Sequence, residues 1–211
     1  MAGLTAAQFR ENLRGKPLLF DGAMGTQLME AGVSTGECGV AWNVDKPDAI
    51  EAIHRRYLDA GCDFVTTNTF QGSREALGMH GLSERAAELN KAGAEVARKA
   101  AGGDALVAAD IGPFGGFLEP LGPTTEEELR EIFEEQLEAQ LEGGADVALI
   151  ETMSDPNEAA QGIAAAKAAG DWPVISTYAF QKADDRFVTM MGTSAEDAMR
   201  ASIDAGATVV G

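Results

Sequence analysis

Cysteine is nearly missing from this chain. Its 211 residues hold two, Cys38 and Cys62, placed too far apart for a CxxC pair, a zinc-knuckle spacing or a disulfide framework. The two histidines, His54 and His80, each stand alone. No apolar run approaches the roughly 20 residues that a membrane helix needs. The opening stretch MAGLTAAQFRENLRGK carries acid and lacks an apolar core, so it reads as an amphipathic surface helix and not a targeting peptide. The cytoplasm is the expected location. Positive charge is also short: 16 Lys and Arg face 34 Asp and Glu, for a net charge of −18. Phosphates would be repelled, so neither nucleic acid nor an anionic membrane is an expected partner. Much of the acid lies in TTEEELREIFEEQLEAQLEGG, where the plain reading is a solvated helix face.

What is present is an alternation. Short apolar runs at Leu18–Phe20, Phe64–Phe70, Ala105–Asp110, Val147–Thr152, Val174–Phe180 and Thr208–Val210 read as strands. Helical patterns lie between them. In PDAIEAIHRRYLDAG, Ile50, Ile53, Tyr57 and Leu58 recur on one helical face, with Pro47 suited to the first turn. Asp155 can cap a helix that begins at Pro156 and is closed by Gly170, and Thr125 with Glu128 forms a capping-box pattern. The phrases DAGCDFVTT, EGGADVALI and DAGATVVG each end a helix on glycine and enter a strand two residues later. That is the joint of a repeated β/α unit. With no linker or break in composition, residues 1–211 read as one α/β domain, either an open doubly wound sheet or a (β/α)₈ barrel. The first reading is weakened by the turn after Leu18–Phe20, which holds DGAMGTQL and neither GxGxxG nor GxxxxGK[ST]. GPFGG, from Gly112 to Gly116, lacks the P-loop lysine.

In a barrel, chemistry sits where strands end. The first strand ends in Asp21, followed by Gly22 and Gly25, whose backbone a ligand can approach closely; a tight Asp-Gly turn is the structural alternative. The second ends in Thr66, Thr67, Asn68 and Thr69, residue types that also suit any strand. The fourth runs straight into Glu151, a carboxylate that is costly at a buried edge unless it forms a salt bridge or binds something. Asp21 and Glu151 at one mouth, beside hydroxyl and amide groups, suit a small cationic or zwitterionic ligand such as an amino acid. No nucleophile stands beside a base, no strand end offers a Schiff-base lysine, and no His/Cys/Asp cluster suggests a metal. The site reads as one that binds and has no reactive group of its own.

Taken together and in order, LLFDGAMGTQL, AGCDFVTTNTFQGSREAL, ADIGPFG…PLG and GGADVALIETM resemble the homocysteine-binding domain of zinc-dependent homocysteine S-methyltransferases, most of all the N-terminal module of cobalamin-dependent methionine synthases. The resemblance covers nearly the whole chain and implies a (β/α)₈ barrel of which about five and a half units are present. It implies that Asp21 and the Gly22–Ala23 backbone contact the homocysteine backbone. Thr66, Thr67 and Asn68 would line the pocket floor, and Glu151 would receive the amino group with Thr152 beside it. Trp42 either adds an apolar wall or simply packs. The family's zinc, which deprotonates the thiol for attack on a methyl group, is held by cysteines that would follow Gly211. Cys38 and Cys62 match none of them. The donor implied is methylcobalamin, re-methylated from methyltetrahydrofolate; in smaller relatives it is S-methylmethionine, S-adenosylmethionine or betaine. The chain alone is therefore expected to be inactive, and to self-associate through open sheet edges or to pair with a complementary polypeptide. A non-catalytic amino-acid-binding module and an open-sheet protein with an unrelated ligand are the alternatives.

Overall fold

The structure, a computed structural model, describes residues 4–211. Its main sheet contains β1 (Phe64–Thr66), β2 (Leu106–Ile111), β3 (Val147–Met153), β4 (Val174–Tyr178) and β7 (Val209–Val210); β5 (Gln181–Ala183) and β6 (Arg186–Val188) form a separate antiparallel hairpin. The five strands run in the order β1-β2-β3-β4-β7, every pair parallel. The long helices α4 (Pro47–Asp59), α6 (Ala86–Ala101), α7 (Glu126–Glu142), α8 (Pro156–Ala168) and α9 (Ala195–Ala205) pack on one another in the same succession. A doubly wound sheet reverses its strand order at a switch point. This one never reverses, so it is singly wound, as an arc of a (β/α)₈ barrel is. Among the described residues the arc does not close. No helix of the described residues is long and apolar enough to cross a membrane.

Local chemistry explains the joints. Gly61, Gly144 and Gly206 follow α4, α7 and α9 with φ of +97°, +98° and +103°. A side chain would strain this conformation, which turns the helix end back toward the sheet. The helix starts match their sequence signals. Thr125 and Glu128 cap α7 reciprocally, and Asp155 accepts from the Asn157 amide at 2.8 Å ahead of Pro156.

The two faces of the sheet carry different contents. Val65, Val107, Ala109, Ile111, Ala148, Ile150 and Val174 face the helices and pack with Phe133, Leu137 and Ile163. The opposite face carries Phe64, Ala108, Val147, Leu149 and Ile175, closed at one end by Phe9 of α1 (Ala6–Gly15). The Phe9 ring meets Phe64 edge-on, with centroids 6.0 Å apart. The N-terminal helix is thus a stopper whose inner side is buried, more than the surface helix expected from its pattern. The loop after β2 is tied at its start by buried Glu158 of α8, which accepts from the Phe114 amide at 2.8 Å; burial pushes this carboxyl up to about 7.

Two expectations fail. Leu18–Phe20 is not a strand: the Asp63 carboxylate takes the Leu19 amide at 2.9 Å, so no ladder forms there, although the Leu19 carbonyl still accepts from Asp63 and Phe64. Phe20 holds the segment in place by stacking on Phe64 at 4.2 Å. The strand expected at Phe64–Phe70 ends at Thr66, because the next four residues turn out of the sheet on a Thr69-to-Thr67 backbone bond.

Candidate functional site

Strand alternation places the site. On the inner face Phe64, Ala108, Leu149 and Ile175 are apolar, and two residues further along each strand stand Thr66, Asp110, Glu151 and Thr177. A period of two keeps these four on the same face, and parallel pairing brings them all to the C-terminal end. There they line a cavity of about 700 Å³ together with Asp21, Gly22, Ala23, Thr67, Asn68 and Thr152. Leu28, Val40 and Phe70 supply apolar wall.

Asp21 is held on both oxygens: the Thr66 amide donates to one at 2.8 Å and the Thr66 hydroxyl to the other at 2.7 Å. Burial raises its carboxyl above the ordinary aspartate range, and these two bonds only partly offset the rise. Behind Gly22 stands Tyr57, whose hydroxyl donates to the Ala23 carbonyl at 2.9 Å. A Cβ on Gly22 would lie 2.9 Å from that ring, so glycine is what lets backbone and tyrosine meet.

The TTNT stretch divides its labour. The Thr67 hydroxyl accepts from the Asp110 amide at 2.9 Å and lies 2.7 Å from the Thr69 hydroxyl. The Asn68 amide donates to the Gly39 carbonyl at 2.8 Å and to Asn43 at 3.0 Å. Both side chains are buried and spend donors on the protein, so they set the shape of the floor.

Glu151 and Thr152 sit on an irregularity. The register between β3 and β4 shifts between Ile150 and Met153, and Thr152 takes a φ of +61°. A β-branched residue there is strained, and bulges of this kind re-aim side chains beside functional sites. The Thr152 amide is turned onto the Thr177 hydroxyl at 3.2 Å. Thr152→Gly is expected to raise the unfolding free energy by about 1 kcal/mol by removing that strain. Urea denaturation showing a loss of stability instead would mean the backbone there is unstrained.

Asp110 was not singled out from the sequence. It is 3% exposed, and its carbonyl accepts from Thr69 at 2.9 Å, Gln140 at 3.2 Å and Gln136 at 3.4 Å. Glu151, on the neighbouring strand β3, lines the same cavity. Burial first, then the negative charges of Glu151 and Asp21, drives Asp110 well above its ordinary range. Half-buried Glu151 is raised less, because the bond from Asp110 opposes the effect of burial. A signal was available: the third strand ends AAD, an acid two residues beyond Ala108, just as Glu151 lies two beyond Leu149.

Of the two readings of Trp42, wall or simple packing, the structure has the second. It does not line the cavity; it is 2% exposed and packs with Leu28, Ile50 and Ile53. Its indole donates to Glu37 at 2.6 Å and the Lys46 ammonium sits 3.5 Å from its ring centroid. Leu28 stands between this cluster and the cavity and provides the wall instead. Cys38 and Cys62 are free thiols outside the lining, and among the described residues no group of three His, Cys, Asp or Glu is placed to hold a metal ion.

A family model described as Homocysteine S-methyltransferase matches residues 18–211. The chain belongs to the homocysteine S-methyltransferase family. It is similar to the methionine synthases of Mycobacterium leprae (strain TN) and Mycobacterium tuberculosis (strain ATCC 25618 / H37Rv), 36% identical to each over 159 and 157 residues. Those alignments cover 69% and 68% of this chain but 13% of either relative. The chain thus matches only a small part of these curated relatives. Among solved structures, it resembles the homocysteine methyltransferase MmuM from Escherichia coli. The metallated form superposes with a TM-score of 0.77 at 24% identity, over 95% of this chain and 75% of that one. The oxidized form gives 0.76 at 25%, over 93% and 73%. This likeness establishes the arc as part of the family's α/β fold.

Proposed function

We propose that this chain forms the amino-acid-binding part of a homocysteine S-methyltransferase that makes methionine, with homocysteine as the ligand of the cavity. The observation that carries the reading is the convergence of Asp21, Asp110 and Glu151 in one cavity whose lining holds no lysine, arginine or histidine. Such a lining attracts an ammonium group. Glu151 receives it, while the Gly22–Ala23 backbone faces the rest of the amino-acid moiety, and Leu28, Val40 and Phe70 cover its methylenes.

The same lining limits what this chain does chemically. A thiol with an ordinary pKa near 8.5 is only a few per cent thiolate at neutral pH. Three nearby carboxylates oppose further ionisation. The described residues therefore bind and orient the amino-acid end and leave the sulfur unactivated. Zinc would supply thiolate in this family, but the residues present do not fit it: neither cysteine is in the cavity, and among the described residues no three His, Cys, Asp or Glu are spaced closely enough to hold a metal ion. Methylcobalamin remains the donor we propose for the complete enzyme, on the similarity to methionine synthases.

Titration calorimetry of the chain with L-homocysteine and with 4-sulfanylbutanoate, which lacks the amino group, tests the reading. Saturable binding of the first and at least about tenfold weaker binding of the second are expected, since a charge-assisted hydrogen bond contributes about 1.5–3 kcal/mol. Equal affinities would remove the ammonium subsite, and with it the proposal.

A further inference from the structure

Asp21, Asp110 and Glu151 share one cavity, and its described lining carries no cationic side chain to pair with them. Asp110 Oδ1 is buried, and among the described residues no donor reaches it. Its neighbour on β3, Glu151, lines the same cavity and is itself an acceptor when ionised. Two ionised carboxylates in that position would repel each other and leave their lone pairs unmatched. One proton between them satisfies both: Asp110 donates, Glu151 accepts. Asp110 is the more buried of the two and is the natural holder.

We infer that Asp110 and Glu151 share one proton in the empty site and that a ligand's primary ammonium group displaces it, so that amino-acid binding is an exchange of a proton for a cation. This rests on the proposed amino-acid ligand and adds a regulated property to the same site. In the exchange the carboxyl O–H bond breaks and the proton leaves to solvent. N–H donors of the ammonium then take its place between the two carboxylates. An ammonium offers three donors, enough for both carboxylates. Net charge balances, because the site loses one proton as the ammonium charge enters.

The surroundings support one titrating unit. From the first segment Asp21 faces the pair, and its charge acts on both members. Asp21 in turn acts on Tyr57 of α4 and on Cys62. Behind Asp110 the groups from α6 and α7 are the neutral amides Asn90, Gln136 and Gln140; Gln136 and Gln140 donate to the Asp110 carbonyl, and Gln140 also donates to Asn90. From β4, Thr177 and Ile175 complete the lining. The network thus fixes Asp110 in position without adding charge that would ionise it.

The test is calorimetry on the 211-residue chain between pH 5.5 and 7.5, with L-homocysteine and with L-2-aminobutyrate, which has no thiol proton to lose. Repeating each titration in buffers of different ionisation enthalpy counts the protons released. About one proton per ligand is expected, for both ligands, with affinity rising up to about tenfold per pH unit in the lower part of the range. Asp110→Asn copies the protonated acid in shape and donor but gives up the charge that meets the ammonium, so its binding should be weaker than wild type, release no proton and lose the pH slope. Binding by wild type with no proton released overturns the exchange and leaves the ligand assignment standing. No binding of either amino acid overturns both. Carboxyl carbon NMR of the empty wild-type chain is an independent check that does not depend on the variant folding. An Asp110 carboxyl already ionised at pH 6 overturns the exchange; one still protonated there supports it.

Discussion

Glu151→Gln is expected to weaken homocysteine binding about 30- to 100-fold while leaving the chain folded. Glutamine keeps the size of the side chain at the end of β3, so the irregular step to Thr152 and the bond from its amide to Thr177 are undisturbed. What is lost is the charge. A hydrogen bond to an ionised group contributes roughly 2–3 kcal/mol more than its absence, and each 1.4 kcal/mol is a factor of ten in affinity. Asp21 does not replace it, since both its oxygens already accept from Thr66. Calorimetry at pH 7 measures the change, with circular dichroism confirming the fold. A dissociation constant within threefold of wild type would sink the ammonium subsite, because no other half-exposed carboxylate of the lining comes from β3.

The second large effect lies away from the cavity. His54 of α4 is fully buried, and among the described residues neither ring nitrogen has a hydrogen-bond partner. Burial lowers its pKa from 6.5 to about 4, against a weaker opposing pull from Glu51 one turn earlier. The unfolded chain takes up this proton as pH falls through 6.5, whereas the folded chain resists until about 4. The imidazole therefore costs nothing further above pH 6.5, and stability drops as pH falls from there toward 4. At the bottom of that window the loss from this group is at most about 3 kcal/mol. His54→Leu removes both the proton site and two unpaired buried nitrogens, each of which costs on the order of 1–3 kcal/mol. The variant is expected to be more stable than wild type at pH 7 and to gain further on it at pH 5. Urea midpoints at pH 5, 6 and 7 decide the matter: parallel curves for variant and wild type would show that His54 is not the acid-sensitive group.

Legibility followed the range of the physics. The capping pair Thr125 and Glu128 and the start at Asp155–Pro156 are set by neighbours a few residues away, so they were readable. Glu151 was readable as an acid near a strand end and Asp21 as an acid closing an apolar run, and the structure brings them to one cavity. The hairpin of β5 and β6 was not. Gln181, Lys182, Arg186 and Phe187 are all exposed, so no buried face imposes an alternating pattern on them. Leu18–Phe20 failed in the opposite sense: its apolar pattern is that of a strand, but a carboxylate forty-odd positions away occupies the amide that a ladder would use. Trp42 carried no local mark that separates a pocket wall from a packed core, and its partners Leu28, Ile50 and Ile53 decided for the core.

The sequence by itself determined the β/α rhythm, the glycine-ended helices and the acidic strand ends, because periodicity, caps and backbone freedom act within one or two turns. Only the tertiary structure decided that Asp110 lines the same cavity as Glu151 and that the Thr67 hydroxyl accepts from the Asp110 amide. It also decided that the sheet winds in one direction. Those outcomes depend on the register between strands separated by some forty residues, where a shift of one position would turn every inner side chain to the helices.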